Sequence, residues 1–456
     1  MTSETIAAIS TAPGVAGVAV VRISGPRALA IADHVFMCRP PPSSRPSHTV
    51  VLGRVRDESG GLGDRALLLI MRAPRSYTGE DVVEIHCHGG LVVPQQVLRT
   101  VLLAGAQLAG PGEFTRRAFC NGKIDLTQAE AVMDLVTAQS DRAARMALRQ
   151  LEGGLSRPLN DLYGLLLDAA SLLEAGVDFS EYVDSESDAR PILSKLRAAR
   201  QRIASLLDQE REGRRIRFGV RVAIAGDVNT GKSTLFNALL ERNRAITNPQ
   251  PGTTRDVLED RVVWNGMIVH LYDTAGIRKT DCTIEAEGIE RAVQCINDAD
   301  AIIYVIDATR GPRPEDLTWL IRRVEERPDQ TVIAAINKVD VSSDCNMIVL
   351  PDSVRSVRLS AKRGDGVAEL KQLIESSIHP LNTESELYIS ERHAAHLRRA
   401  DTCLEEVERL VAGDESLHPP AASLLQSALR EVGSVTGRHV EKDLLDNIFS
   451  RFCVGK

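Results

Sequence analysis

The sequence has no apolar run long enough to span a bilayer and no leading segment of the signal-peptide kind. A cytoplasmic protein with no membrane role is therefore expected. Paired cysteine spacing is also missing. The eight cysteines are scattered along 456 residues, which reads as reduced thiols in the cytosol. Positive charge is in deficit, with a net charge of −7. This excludes a general polyanion binder, so any nucleic-acid contact must be a local patch. No G-x-G-x-x-G fingerprint is found, so the chain holds no flavin by that motif. His86-Cys87-His88 has metal-ligating residue types. On a strand, however, neighbours point to opposite faces, so the three cannot converge on one ion.

What is present begins with length. At roughly 150 residues each, 456 residues allow about three domains. A hydrophobic content of 43% is ample for their cores. The stretch Gly226–Thr234 reads Gly-Asp-Val-Asn-Thr-Gly-Lys-Ser-Thr and fits G-x-x-x-x-G-K-[ST]. Before it, Val220–Ala225 is β-branched and apolar, as in a buried strand. After it, Leu235–Leu240 opens a helix. Strand, glycine loop and helix N-terminus together cradle phosphates through inward N–H groups and the helix dipole. Asn229, Thr230, Gly231, Lys232, Ser233 and Thr234 are the expected nucleotide-binding residues here. Lys232 reaches the outer phosphates and is assigned a catalytic role, and Ser233 binds Mg²⁺.

Three further motifs follow in order. Asp273-Thr274-Ala275-Gly276 ends an apolar strand and is placed for the second magnesium contact, with the glycine N–H near the γ-phosphate. Asn337-Lys338-Val339-Asp340 ends the strand Thr331–Ile336. A carboxylate at Asp340 accepts two hydrogen bonds that guanine offers and adenine does not. Ser360-Ala361-Lys362 closes another strand and backs the base with main-chain donors. Each motif is weak alone; the four in this order specify a GTP hydrolase. The position after the DTAG glycine is Ile277, where a Ras-like protein has a water-orienting glutamine. The attacking water must be positioned from elsewhere.

The fold class expected is multidomain α/β and α+β. Residues 1–120 form an α+β domain with strands at Ile6–Ile9, Val15–Ile23, Val50–Val55, Ala66–Met71 and Asp81–Cys87, and helices at Ala28–Val35 and Val92–Leu103. Helical spacing covers Leu126–Gln150, Leu155–Leu173 and Ile192–Glu210, so 121–215 is the first part of a helical domain. Acidic Asp178–Asp188 reads as a loop and Arg211–Arg217 as a solvated linker. Residues 216–379 are the P-loop domain. Residues 380–456 are the second helical part, with helices at Arg392–Val411, Leu424–Val432 and Val440–Phe449. Helices on both flanks can bury their apolar stripes together, which makes the P-loop domain an insertion in one helical domain.

Beyond the P-loop motifs, the chain carries Arg22-Ile23-Ser24-Gly25, Tyr77-Thr78-Gly79-Glu80-Asp81, His88-Gly89-Gly90, Pro111-Gly112-Glu113-Phe114-Thr115, Asn121-Gly122-Lys123, Gly252-Thr253-Thr254-Arg255-Asp256 and a terminal Phe452-Cys453-Val454-Gly455-Lys456. With these, it resembles the MnmE (TrmE) family of tRNA-modification GTPases over nearly its full length. The resemblance implies an N-terminal domain that binds 5-formyl- or 5,10-methylene-tetrahydrofolate and forms a homodimer. It also implies a cysteine tail near that site, with Cys453 as a possible functional thiol. With the flavin-dependent partner MnmG, the family modifies carbon 5 of the wobble uridine of certain tRNAs. Folate roles fall on Arg22, Glu84, Lys123 and Lys456. Arg22 suits a carboxylate, and Glu84 suits the amino and N–H edge of a pterin.

The resemblance also bears on Ile277. It implies a K⁺ ion beside the phosphates, held by Asn229, by carbonyls of Asn248 and Gln250 and by Thr253, with Thr254 on Mg²⁺. Asn248-Pro249-Gln250-Pro251 departs from the usual loop, which bears on the strength of K⁺ activation. Glu285 matches the water-orienting glutamate. A ribosome-assembly or regulatory switch GTPase would share every P-loop motif; the N-terminal set and the cysteine tail discriminate against it.

Overall fold

The computed structural model describes residues 4–56, 61–178, 189–240, 259–273, 293–341, 348–378, 387–413, 419–440 and 442–456. Asn248, Gln250, Thr253, Thr254, Thr274, Ala275, Gly276, Ile277, Glu285 and the acidic stretch 179–188 lie outside the described residues. The chain forms two compact units. The first comprises Met1–Val136, Leu148–Leu207 and Glu391–Lys456; the second comprises Thr137–Ala147 and Asp208–Ser390.

The first unit begins with a seven-stranded sheet. Its strands are β1 (Ile6–Ile9), β2 (Val18–Ser24), β3 (Phe36–Met37), β4 (Thr49–Arg56), β5 (Leu62–Met71), β6 (Val82–His88) and β7 (Gln107–Leu108), in the order β3-β4-β5-β6-β2-β1-β7. All pairs are antiparallel except β1 with β7. Alternate residues such as Val21, Ile23, Leu68, Ile70, Val83 and Ile85 are buried. They pack with Ile31 and Val35 of α1 (Ala28–Val35) and Val97 and Val101 of α2 (Val93–Leu103). In α1, Ala28, Ile31, Ala32 and Val35 fall on one face by helical period. The opposite sheet face keeps Val50, Leu52 and Leu67 exposed.

The sequence pattern predicts no helix at α3 (Glu113–Cys120), which the structure forms. Its start is fixed by Gly112 at φ 63° and by Glu113, whose Oε2 accepts the Gly110 N–H at 2.8 Å. The expected helix Leu126–Gln150 is two: α4 (Leu126–Thr137) and α5 (Asp141–Leu151). The break comes at Ser140, whose Oγ accepts the Ala143 N–H at 3.2 Å and so caps the second helix. Then come α6 (Ser156–Asp178) and α7 (Arg190–Leu207).

Arg211–Arg217 is not a linker. It lies in α8 (Glu210–Phe218), because Ile216 buries against Met146 and Tyr388. Its arginines are engaged: Arg215 Nε meets Asp300 Oδ1 at 3.0 Å, and Arg217 lies over the Tyr388 ring at 4.5 Å.

The second unit contains β8 (Val220–Gly226), α9 (Lys232–Leu240), β9 (Glu259–Trp264), β10 (Met267–Asp273), β11 (Ala301–Asp307), α10 (Pro314–Glu326), β12 (Thr331–Asn337), β13 (Arg355–Arg358) and α11 (Val367–Ile378). Its sheet runs β13-β12-β11-β8-β10-β9. Every pair is parallel except β9 with β10. Val222 and Ile224 enter one core while Ala223 and Ala225 enter another, so both faces are covered, as parallel sheets require.

The first unit resumes with α12 (Glu391–Ala412), α13 (Pro419–Thr436) and α14 (Lys442–Ser450). Glu130 of α4 is gripped by α12: its carboxylate meets Arg392 Nε at 2.9 Å and His393 Nε2 at 2.7 Å. The C-terminal tail docks on the sheet domain. Val454 bridges Pro111, and the Gly112 N–H donates to the Cys453 carbonyl at 3.3 Å. No helix among the described residues is long and apolar enough to cross a membrane.

Candidate active site

The site in the second unit forms at the carboxyl ends of its parallel strands, where ligands of open α/β sheets sit. Register sets the neighbours: Ile224 lies beside Asp273, Val305 beside Gly226, and Asp307 beside Asn337. β8 hands over to the loop at Gly226, whose φ is 137° and where a Cβ would stand 2.4 Å from the Val305 carbonyl oxygen. Gly231 has φ 95°, and a Cβ there would meet Asn337 Nδ2 at 2.3 Å. Only glycine fits either position. Asn229 adopts φ 63°, a left-handed geometry that asparagine tolerates better than most residues.

Lys232 is buried at the N-terminus of α9, and its Nζ donates to the Asp227 carbonyl at 2.5 Å. Thr230 Oγ1 donates to the same carbonyl at 3.0 Å. Ser233 Oγ lies 2.8 Å from Asp273 Oδ2. A serine hydroxyl and a carboxylate in that position suit Mg²⁺, a hard cation that takes oxygen ligands. Thr234 is exposed on the same helix.

The base-recognition residues connect to this loop. Asn337 Nδ2 donates to the Thr230 carbonyl at 2.9 Å, and its Oδ1 accepts the Ala361 N–H at 2.9 Å. Lys338 Nζ donates to the Asn229 carbonyl at 2.6 Å. A hydrogen bond with Ser360 holds the Asp340 carboxyl below the usual range, against the effect of burial. Arg363 Nε stands 3.8 Å away. Ser360 is fixed by an N–H bond to the Asp365 carbonyl at 2.9 Å, while Lys362 is exposed. One neighbour that sequence reading missed is Asp307. It belongs to no motif, and its only sequence signal is its place at the end of β11.

In the first unit, Arg22 and Glu84 are register partners on β2 and β6, with Nε 2.8 Å from Oε1. Glu84 Oε2 also meets His86 Nε2 at 3.3 Å. The Arg22 guanidinium lies over the rings of Tyr77 at 5.3 Å and Phe114 at 5.6 Å. One of its terminal nitrogens points at the Gly455 carbonyl, 3.5 Å away. The docked tail thereby brings Lys456, whose N–H bonds the Cys453 carbonyl at 3.3 Å, into the same neighbourhood. Cys453 is exposed. Lys123 contacts the loop that includes Pro74 and Gly79, donating to the Pro74 carbonyl at 3.0 Å.

His86, Cys87 and His88 do not converge. Cys87 points into the core, and burial pushes its thiol up to about 11. His88 meets Asp64 at 2.7 Å, and His86 meets Glu84.

A left-handed phosphate loop on a parallel sheet, tied to an Asn-Lys-x-Asp strand end, defines a P-loop GTPase with additional domains. Family comparison makes this specific. The MnmE helical domain matches residues 126–453, and the N-terminus of the GTP-binding protein TrmE matches residues 5–123. The tRNA modification GTPase MnmE of Symbiobacterium thermophilum is 40% identical over 465 residues, covering 100% of both chains. That of Geobacter sulfurreducens is 42% identical over 462 residues, covering 99% of each. The chain belongs to the MnmE (TrmE) family of tRNA modification GTPases.

Proposed function

We propose that this chain is a K⁺-activated GTPase that modifies carbon 5 of the wobble uridine of certain tRNAs. It does so with the flavin-dependent partner MnmG and a tetrahydrofolate one-carbon unit. One observation carries the reading: the C-terminal Cys-Val-Gly-Lys tail is docked beside Arg22, against the sheet that also bears Glu84. A switch GTPase has no use for such an arrangement.

In the GTPase unit, Lys232 and the α9 N-terminus neutralise phosphate charge, and Asp340 selects guanine. When bound, Mg²⁺ and K⁺ supply positive charge against the phosphates. Ser233 and Asp273 are the described residues suited to the first, and Asn229 to the second. Glu285 is the proposed water-orienting group, with Asn248, Gln250, Thr253 and Thr254 completing the cation ligands.

In the first unit, Arg22, Glu84, Lys123 and Lys456 are proposed to hold the folate. A guanidinium and a carboxylate side by side on one sheet face suit the acidic tail and the amide-like edge of that ligand. On that face, the register continues from Arg22 and Glu84 to Leu69 and Val50, beside Leu67 and Leu52. Exposed apolar residues in such a row support a homodimer formed through this sheet. The decisive experiment is mass spectrometry of wobble uridines from a strain lacking this protein. Loss of the carbon-5 substituent is expected; an unchanged nucleoside profile would favour a switch GTPase.

A further inference from the structure

Lys338 is a non-glycine residue at φ 68°. Its ammonium makes two short contacts, 2.6 Å to the Asn229 carbonyl and 2.6 Å to Asp307 Oδ2. Asp307 ends β11 opposite Asn337. Its other oxygen accepts from the Thr309 N–H at 2.9 Å and from Thr309 Oγ1 at 2.7 Å. Both carboxylate oxygens are thus occupied, and only 9% of the side chain is exposed. The Ala308 N–H donates to the Asn337 carbonyl at 2.8 Å, which fixes the turn after β11 against β12. Burial works to raise the Asp307 carboxyl, but the hydrogen bonds from Lys338 and Thr309 outweigh it and hold the group ionised.

We propose that Asp307 is a positioning residue for guanine-nucleotide binding. It fixes the Lys338 ammonium so that Lys338 clamps the Asn229 carbonyl and ties the base-recognition strand to the phosphate loop. The inference rests on reading this site as a guanine-nucleotide site. The reasoning is geometric and entropic. A nucleotide bridges two segments, with its base at Asp340 and its phosphates at Gly231–Ser233. The spacing of those segments sets how long it stays. Lysine has a flexible four-carbon stem, and an immobile anionic acceptor removes most of its rotamers before the ligand arrives. Rigidity prepared in advance lowers the ordering cost of binding. Asp307 itself touches neither base nor phosphate in this scheme, so its effect should fall on residence time and not on bond cleavage.

The test uses the full-length chain with Mg²⁺, a fluorescent GDP and stopped-flow release. Asp307→Asn keeps the shape and removes the charge. Release is expected to be about tenfold faster, the scale of one charged hydrogen bond. GTP turnover at saturation should stay within about twofold of wild type while KM rises, as for an interaction used equally in ground and transition states. Lys338→Met alone and Lys338→Met combined with Asp307→Asn should release at the same rate, because the two residues act as one unit. Release from Asp307→Asn within about twofold of wild type would overturn the proposal. So would multiplying effects in the double variant. If Asp307→Asn does not fold by circular dichroism, Thr309→Val takes its place. That variant loosens Oδ1 and should speed release about threefold, and unchanged release would count against the proposal. Failure of the wild type to bind GDP would overturn the nucleotide-site reading instead.

Discussion

Arg22 and Glu84 sit directly opposite one another on neighbouring antiparallel strands, and their side chains form an ion pair with Nε 2.8 Å from Oε1. Both were expected to meet a ligand, one its acid and the other its amide-like edge. In the structure they neutralise each other, with aromatic rings of Tyr77 and Phe114 beside the guanidinium. A ligand at this face must therefore exchange with, or add to, an existing pair. Removing one partner leaves the other charged and half-buried.

This leads to the folate prediction. Calorimetry with 5-formyl-tetrahydrofolate on the full-length chain should give saturable heat. Arg22→Ala and Glu84→Ala should each weaken binding by at least about tenfold, the scale of a lost charge-assisted hydrogen bond. No heat with the wild type would defeat the folate assignment.

Base selection should fail in Asp340→Asn. A neutral amide cannot accept from both guanine donors and sets a donor against them. GTP affinity should drop about a hundredfold and the preference over ATP should collapse, as for other charge-assisted partners. Competition binding with both nucleotides measures this, and retained selectivity would place the base elsewhere.

Cation dependence is the third expectation. With Ile277 at the glutamine position, turnover should be slow in Na⁺ and faster in K⁺ at constant ionic strength. Asn229→Ala should abolish that difference. Glu285→Ala should cut turnover while leaving GTP affinity nearly unchanged, the pattern of a group used in the transition state. Phosphate release assayed in Na⁺, K⁺ and Rb⁺ decides it. Equal wild-type rates in Na⁺ and K⁺ would remove the ion from the mechanism, with Pro249 and Pro251 as the first residues to substitute.

The fourth expectation concerns acid stability. Burial alone would raise the Glu130 carboxyl. His393, and after it Arg392, overcome that effect and hold it at about 2, against an ordinary 4.5. The unfolded chain therefore takes up this proton first as pH falls. The ion's contribution is complete above about pH 4.5 and is lost as pH drops towards 2, with a size on the order of 3 kcal/mol. Glu130→Gln should be less stable at pH 7 and flatter between pH 5 and 2. Urea unfolding followed by helical circular dichroism tests it, and parallel profiles for wild type and variant would refute it.

The amino-acid sequence by itself determined the local chemistry. Gly226 and Gly231 hold φ of 137° and 95°, backbone conformations that favour glycine, and the motif marks both positions. The strand before them is visible as an apolar run, and α1 appears at the residues its spacing predicts. These features are legible because each depends on backbone conformation and periodicity within one segment.

Tertiary structure decided the rest. Whether Arg211–Arg217 was linker or helix depended on Ile216 finding Met146 and Tyr388, far away in the chain. The single helix expected over Leu126–Gln150 split where Ser140 preferred to cap. Arg22 and Glu84 are 62 residues apart, and only strand register makes them a pair. Asp307 has no motif of its own; its role exists only because β11 lies beside β12 and delivers its carboxylate to Lys338. A periodic pattern states which face of a segment is buried, but not what meets it, since partner choice is set by contacts that form only once the whole chain has closed.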